Sequence, residues 1–255
     1  MNWKSICLAV ALSVGAAAIS QADDAPPKPA GKTPATKPTT TKPAPKPRTP
    51  DDAITPMVHS PARHPKFLEE IKKGPYDLLF IGDSITDYWP KRGPDSWAKL
   101  AQYKPLNLGV SGDRTEHVLW RLEHGELEGL SPKVTVIMIG TNNAGIDKSE
   151  WVAAGVTKIV ETVRTKLSNT KILLLAIFPR ASVESKPRLA NQATNDIFRK
   201  LADDKSIFYL DIGNKFLDDK GNLSKEIMPD FLHPSAKGYD IWYDAMKPKL
   251  DELMK

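Results

Sequence analysis

Five apolar runs of strand length constrain this chain more than any other feature. They are "YDLLFIG" (76–82), "PLNLGV" (105–110), "KVTVIMIG" (133–140), "KILLLAIFP" (171–179) and "SIFYLDI" (206–212). Several are continuously apolar rather than alternating, as strands covered on both faces must be. Stretches of helical period separate them. "TEHVLWRLEHGEL" (115–127) sets Val118, Leu119 and Leu122 on one face. Longer amphipathic stretches cover 149–167 and 187–204, and a last one runs from Ser235 to Met254. Alternation of this kind predicts one α/β domain over 56–255, built on a five-stranded parallel sheet with right-handed crossovers. The sequence shows no internal repeat and no second domain.

The first 55 residues follow other rules. Lys4, the apolar stretch "ICLAVALSVGAAAI" and the small residues of "SQA" read as an export signal over 1–22. The stretch is shorter than the ~20 residues of a spanning helix, so cleavage and a periplasmic or extracellular location are expected. Residues 23–55 hold nine prolines between 25 and 50 and almost no apolar bulk. Such a segment predicts an extended, disordered tether. Residues 25–50 carry five lysines and Arg48 with no acid, while Lys4 against Asp23 and Asp24 leaves −1 over 1–24. The net +5 of the chain therefore sits in the tail, and residues 51–255 are neutral. That placement argues against a nucleic-acid partner. It leaves the tail lysines as candidates for contact with anionic envelope polymers, although a solvated tether is the plainer reading. The one cysteine, Cys7, lies inside the export signal, so thiolate chemistry and disulfides are not expected of the domain.

In an open parallel sheet, ligands bind beyond the carboxyl ends of the strands. The first run ends in Gly82-Asp83-Ser84, the second in "GVSGD" with Gly112 and the third in "GTNN" with Asn142 and Asn143. The fourth ends in Pro179-Arg180, and "MPDFLHPSAKGY" brings Asp230 and His233 ahead of the last helix. Each has an ordinary explanation. Ser84 suits a helix start, Gly112 a turn, Asn142 a loop and Asp230 a turn cap. Together on one rim they describe acyl-transfer chemistry. Ser84 would be the nucleophile, His233 its base and Asp230 the group that orients the imidazole. The Ser84 and Gly112 amides and the Asn142 side chain would hold the oxyanion. Asp83, Asn143 and Arg180 are candidate substrate contacts, Asp83 also as a shaper of the turn. His59, His64, His117 and His124 are weaker candidates. Thr86 replaces the second glycine of G-x-S-x-G, so a nucleophile elbow is not indicated, and no dinucleotide or P-loop fingerprint occurs.

"IGDS", "NLGVSGD", "GTNN" and "DFLHPS" together resemble the four blocks of the GDSL, or SGNH, hydrolase family. Within it, "NLGVSGDRTEHVLWRLEHGELEG", "VIMIGTNN", "IFPR" and "DFLHPSAKGY" are similar to the catalytic subunits of the intracellular platelet-activating-factor acetylhydrolase group, over about residues 60–252. The resemblance implies a three-layer flavodoxin-like fold and serine esterase chemistry without metal or cofactor. It also implies release of a small acyl group, often acetyl, and a homodimer. Those subunits lack an export signal and a Pro/Lys tether. An exported chain would meet glycan or lipid esters of the envelope and surroundings instead. Trp89, Trp97, Trp120, Trp151 and Trp242 are candidates for stacking on a sugar, with core packing the plainer reading of most. The competing expectations are a lysophospholipase or thioesterase, and a catalytically silent envelope-binding module.

Overall fold

A computed structural model describes residues 46–255. The export signal and most of the proposed tether fall outside the described residues. Five strands form one parallel sheet: β1 (Leu78–Gly82), β2 (Pro105–Gly109), β3 (Val134–Met138), β4 (Lys171–Leu175) and β5 (Ile207–Leu210). Their spatial order is β2-β1-β3-β4-β5. The order reverses between β1 and β3, where a crevice opens at the strand ends.

Alternate side chains of each strand go to opposite faces. Leu79 and Ile81 of β1, Ile137 of β3 and Ile172 and Leu174 of β4 enter one apolar layer. Leu78 and Phe80, Val134 and Val136, and Leu173 and Leu175 enter the other. Helices α1 (His64–Ile71), α5 (Thr115–Glu123), α6 (Ser149–Lys166) and α7 (Lys186–Phe198) cover the first layer. The short helices α2 (Ser84–Asp87), α3 (Trp89–Arg92) and α4 (Pro94–Lys99) cover the second with α8 (Ala236–Leu253). On α8, Tyr239, Trp242, Tyr243, Met246 and Leu250 recur at helical spacing, and all are buried. The three-layer α/β architecture with a flavodoxin-like strand order is the one expected from the sequence. Among the described residues no helix is long and apolar enough to cross a membrane.

The N-terminal edge differs from expectation. The composition extends an unpacked tether to residue 55, but its last part lies on the domain. Pro50–Ala53 make a 3-10 turn, Ala53 is fully buried, and Thr115 Oγ1 donates to the Ala53 carbonyl at 2.8 Å. The physical reason is that one small side chain and a set of polar contacts can fix a stretch that carries no apolar bulk.

Candidate active site

Ser84 stands where β1 ends and α2 begins. Asp83 caps that helix, its Oδ1 accepting the Ile85 N–H at 3.0 Å, and Ser84 is the next residue. The serine is nearly buried, at 4 % exposure. Its Oγ lies 2.9 Å from His233 Nε2. On the other side of the ring, His233 Nδ1 lies 2.7 Å from Asp230 Oδ2. Asp230 Oδ1 accepts the backbone N–H groups of Leu232 and His233 at 3.1 and 2.8 Å. A spacing of three thus folds the loop around its own carboxylate. Burial raises the Asp230 pKa, and the bonds from the His233 backbone and ring outweigh it, holding the group below its ordinary range. Asp230 remains 52 % exposed and the His233 side chain 17 %.

The loops after β2 and β3 are tied together. Asn142 Nδ2 donates one N–H to the Asp113 carbonyl at 2.9 Å, which leaves the second available. Gly112, the preceding residue, has φ +83°, a backbone that favours glycine. Among the described residues, the Ser84 and Gly112 N–H groups are not used in turn or cap bonds. Tyr88 Oη and Ser111 Oγ are 2.8 Å apart, which ties this loop to the end of α2.

The three candidate substrate contacts behave differently. Asn143 is fully buried. Its amide donates to Thr115 Oγ1, Glu116 Oε2 and Asp147 Oδ2, and its Oδ1 accepts the Thr115 N–H. A side chain so enclosed holds its loop and does not face a ligand. Asp83 is 1 % exposed, and burial pushes its carboxyl up to about 7. It serves the turn. Arg180 Nη1 donates to the Thr141 carbonyl and Oγ1 at 2.8 and 3.2 Å, bracing the residue before Asn142. Burial lowers its pKa, against the attraction of Asp83 and Asp230. Of the tryptophans, Trp89 and Trp242 are completely buried, their rings 4.1 Å apart, and are core.

One neighbour of the site, Tyr88, escaped the sequence reading, and another, His59, stood there only as a weaker candidate. The Tyr88 ring lies 5.2 Å from His233, and Tyr88 stands one helical turn after Ser84, a spacing that would have found it. His59 packs its Cε1 3.3 Å from where a Cβ on Gly112 would sit, and its Nδ1 is 2.8 Å from Asp113 Oδ1. No local pattern signals that contact.

His59, Asp113 and His117 bring three ligand-type atoms within 4.8 Å of one another. Their surroundings do not suit a dication. Arg121 engages Asp113 Oδ2 at 2.9 Å, His117 Nδ1 accepts the Arg114 N–H at 3.0 Å, and His117 Nε2 faces the Arg114 guanidinium at 3.3 Å. Burial above all, with the Arg114 charge, takes His117 down to about 4 against the pull of Glu116. A groove of about 420 Å³ borders the other side of the site, lined by Ala181, Ser182, Asn222, Leu223, Asp230 and Phe231.

Residues 80–241 match the GDSL-like lipase/acylhydrolase family. The chain is 36 % identical over 183 residues to platelet-activating factor acetylhydrolase IB subunit alpha2 of Rattus norvegicus, covering 70 % of this chain and 77 % of the relative. It is 35 % identical over 178 residues to subunit alpha1 of Homo sapiens, covering 69 % and 76 %. Among solved structures, a GDSL-like lipase of Bacteroides thetaiotaomicron superposes with TM-score 0.62 at 20 % identity, over 75 % of this chain and 98 % of that one. A carbohydrate acetylesterase of Sinorhizobium meliloti superposes with TM-score 0.55 at 19 % identity, over 70 % and 99 %.

Proposed function

This chain belongs to the GDSL-like lipase/acylhydrolase family and is a hydrolase, and we propose that it is an exported serine esterase that removes short acyl groups, acetyl foremost, from carbohydrate or lipid alcohols. The observation that carries the reading is the hydrogen-bonded line from Ser84 through His233 to Asp230. Ser84 Oγ attacks the ester carbonyl carbon while His233 Nε2 takes its proton. Asp230 holds the ring so that Nε2 faces the serine and steadies the imidazolium. The carbonyl oxygen gains negative charge, and the Ser84 and Gly112 N–H groups with the free N–H of Asn142 receive it. The C–O bond to the alcohol breaks, and His233 returns the proton to the departing oxygen. Water, deprotonated by His233, then attacks the acyl-enzyme and frees the acid and Ser84.

Short acyl groups are favoured by the names of the relatives, an acetylhydrolase by sequence and a carbohydrate acetylesterase by fold. The alcohol leaves on the His233 side. The groove beside Asp230 is on that loop and offers room for a ring-sized alcohol. Export rests on the signal-like first 22 residues.

The test is a panel of acetylated sugars, acetylated xylan and acetyl-phospholipid, run beside p-nitrophenyl acetate, butyrate and octanoate. Wild type is expected to hydrolyse the acetyl esters and to reject octanoate. Ser84→Ala is expected to lose roughly 10³-fold or more in kcat. Activity retained by Ser84→Ala overturns the nucleophile, and preference for octanoate overturns the short-acyl assignment.

A further inference from the structure

Arg48 closes the basic stretch of the tail, yet it is bound into the interior. Its Nη2 donates to Glu116 Oε1 at 2.8 Å and to Asp147 Oδ2 at 3.1 Å, and its Nε donates to Asp147 Oδ1 at 2.5 Å. Both carboxylate side chains have no exposed surface, and Arg48 itself keeps 22 %. Glu116 has a second cation, Arg114, whose Nε lies 2.6 Å from Oε1. Asp147 has no other cationic partner among the described residues. The amide of Asn143 donates to both carboxylates, at 3.1 Å to Glu116 Oε2 and 2.8 Å to Asp147 Oδ2. The Asp147 N–H returns to the Asn143 carbonyl at 3.0 Å. Asn143 is the immediate neighbour of Asn142.

We propose that Arg48 is a positioning residue of the active site: by clamping the buried Glu116 and Asp147 carboxylates it fixes Asn143, and through Asn143 it sets the loop from which the Asn142 amide reaches the oxyanion. The inference rests on the esterase reading and extends it to a side chain at the foot of the tail. Two buried carboxylates that share one amide donor need their cation. Without it, charge is left buried and unpaired, and the surrounding structure moves to hydrate it. The segment that Asn143 anchors is 140–147, which carries Asn142. A displacement of about 1 Å at a catalytic donor costs on the order of 10²-fold in rate.

The experiment uses the full chain and p-nitrophenyl acetate, with Arg48→Ala, Arg48→Lys, Asn142→Ala, the double variants Arg48→Ala/Asn142→Ala and Arg48→Ala/Asp147→Asn, and Ser84→Ala as control. Arg48→Ala is expected to lower kcat roughly 10- to 100-fold with KM within about twofold. Adding Arg48→Ala to Asn142→Ala should cost nothing further, because the donor being aimed is already gone. Arg48→Ala/Asp147→Asn should recover most of the rate, since it removes the unpaired charge. A merely structural Arg48 would instead multiply independently with Asn142→Ala. Full-rate Arg48→Ala, or independent multiplication in the cycle, overturns the proposal. If Arg48→Ala does not fold, the same cycle is run with Arg48→Lys, whose point charge cannot make the two-armed contact. There the kcat loss must again vanish in the Asn142→Ala background. Ser84→Ala separates the two readings. If it is inactive and Arg48→Ala is unimpaired, the positioning role alone fails. If it is active, the esterase reading fails first.

Discussion

Asp83 shows how one residue serves two ends. Its carboxyl caps α2 and so fixes the backbone of Ser84, but it does so where water is excluded. Burial raises its pKa to about 7 in the folded chain, from an ordinary value of 3.8. Between these values the folded state holds a proton that the unfolded state has released. Stability contributed by the neutral form is therefore present in acid and is lost as pH rises toward 7. Asparagine keeps the cap and cannot ionise. Asp83→Asn should thus gain on wild type between pH 4 and 7, read as a difference of urea midpoints at each pH. The difference matters because His117, depressed to about 4, pushes the wild-type curve the other way over an overlapping range. A constant difference across that range would contradict an ionising Asp83. The candidate residues Ser84, Gly112 and Asn142 were legible because each follows a recognisable strand, and Asp230 and His233 because they stand just ahead of the last helix. The role of His59, a weaker candidate, was not, because its partner Asp113 is 54 positions away and nothing local marks the contact.

At the scale of elements, the strands were readable because several are continuously apolar runs of strand length. Helices α5 to α8 were readable from their period. The short helices α2 to α4 were not, since four to six residues carry too little periodicity. Likewise, proline-rich composition hid the packing of 48–53, which depends on partners distant in sequence. The closeness of α5 and α6 was equally silent. A Cβ on Gly155 of α6 would lie 2.5 Å from Thr115 Oγ1 and 2.7 Å from the Ala53 carbonyl. Alanine gains helix propensity there, but the overlap with backbone outweighs it. Gly155→Ala should cost roughly 1–2 kcal/mol in denaturant unfolding. Because the contact lies at the N-terminus of α5, beside Glu116, part of that loss should appear as lower kcat. A neutral Gly155→Ala would mean that the two helices separate without consequence.

For the whole molecule, the separation of charge is the main feature. The neutral domain carries the site and the tail carries the excess cations. Replacing Lys28, Lys32, Lys37, Lys42 and Lys46 with Gln should abolish retention on an anionic polymer at low salt. It should leave kcat/KM for p-nitrophenyl acetate unchanged. Retention that survives these changes would move the anionic contact onto the domain. Arg48 is left in place in that variant because it belongs to the interior.

Ser84 and His233 lie 149 positions apart, one leaving β1 and the other arriving after β5. No shorter piece of chain holds both. On the proposed mechanism, a chain still being made presents Ser84 without His233 beside it and hydrolyses nothing. The pair assembles only when the final fifth of the chain closes over the sheet, so the proposed chemistry waits on that last step of folding.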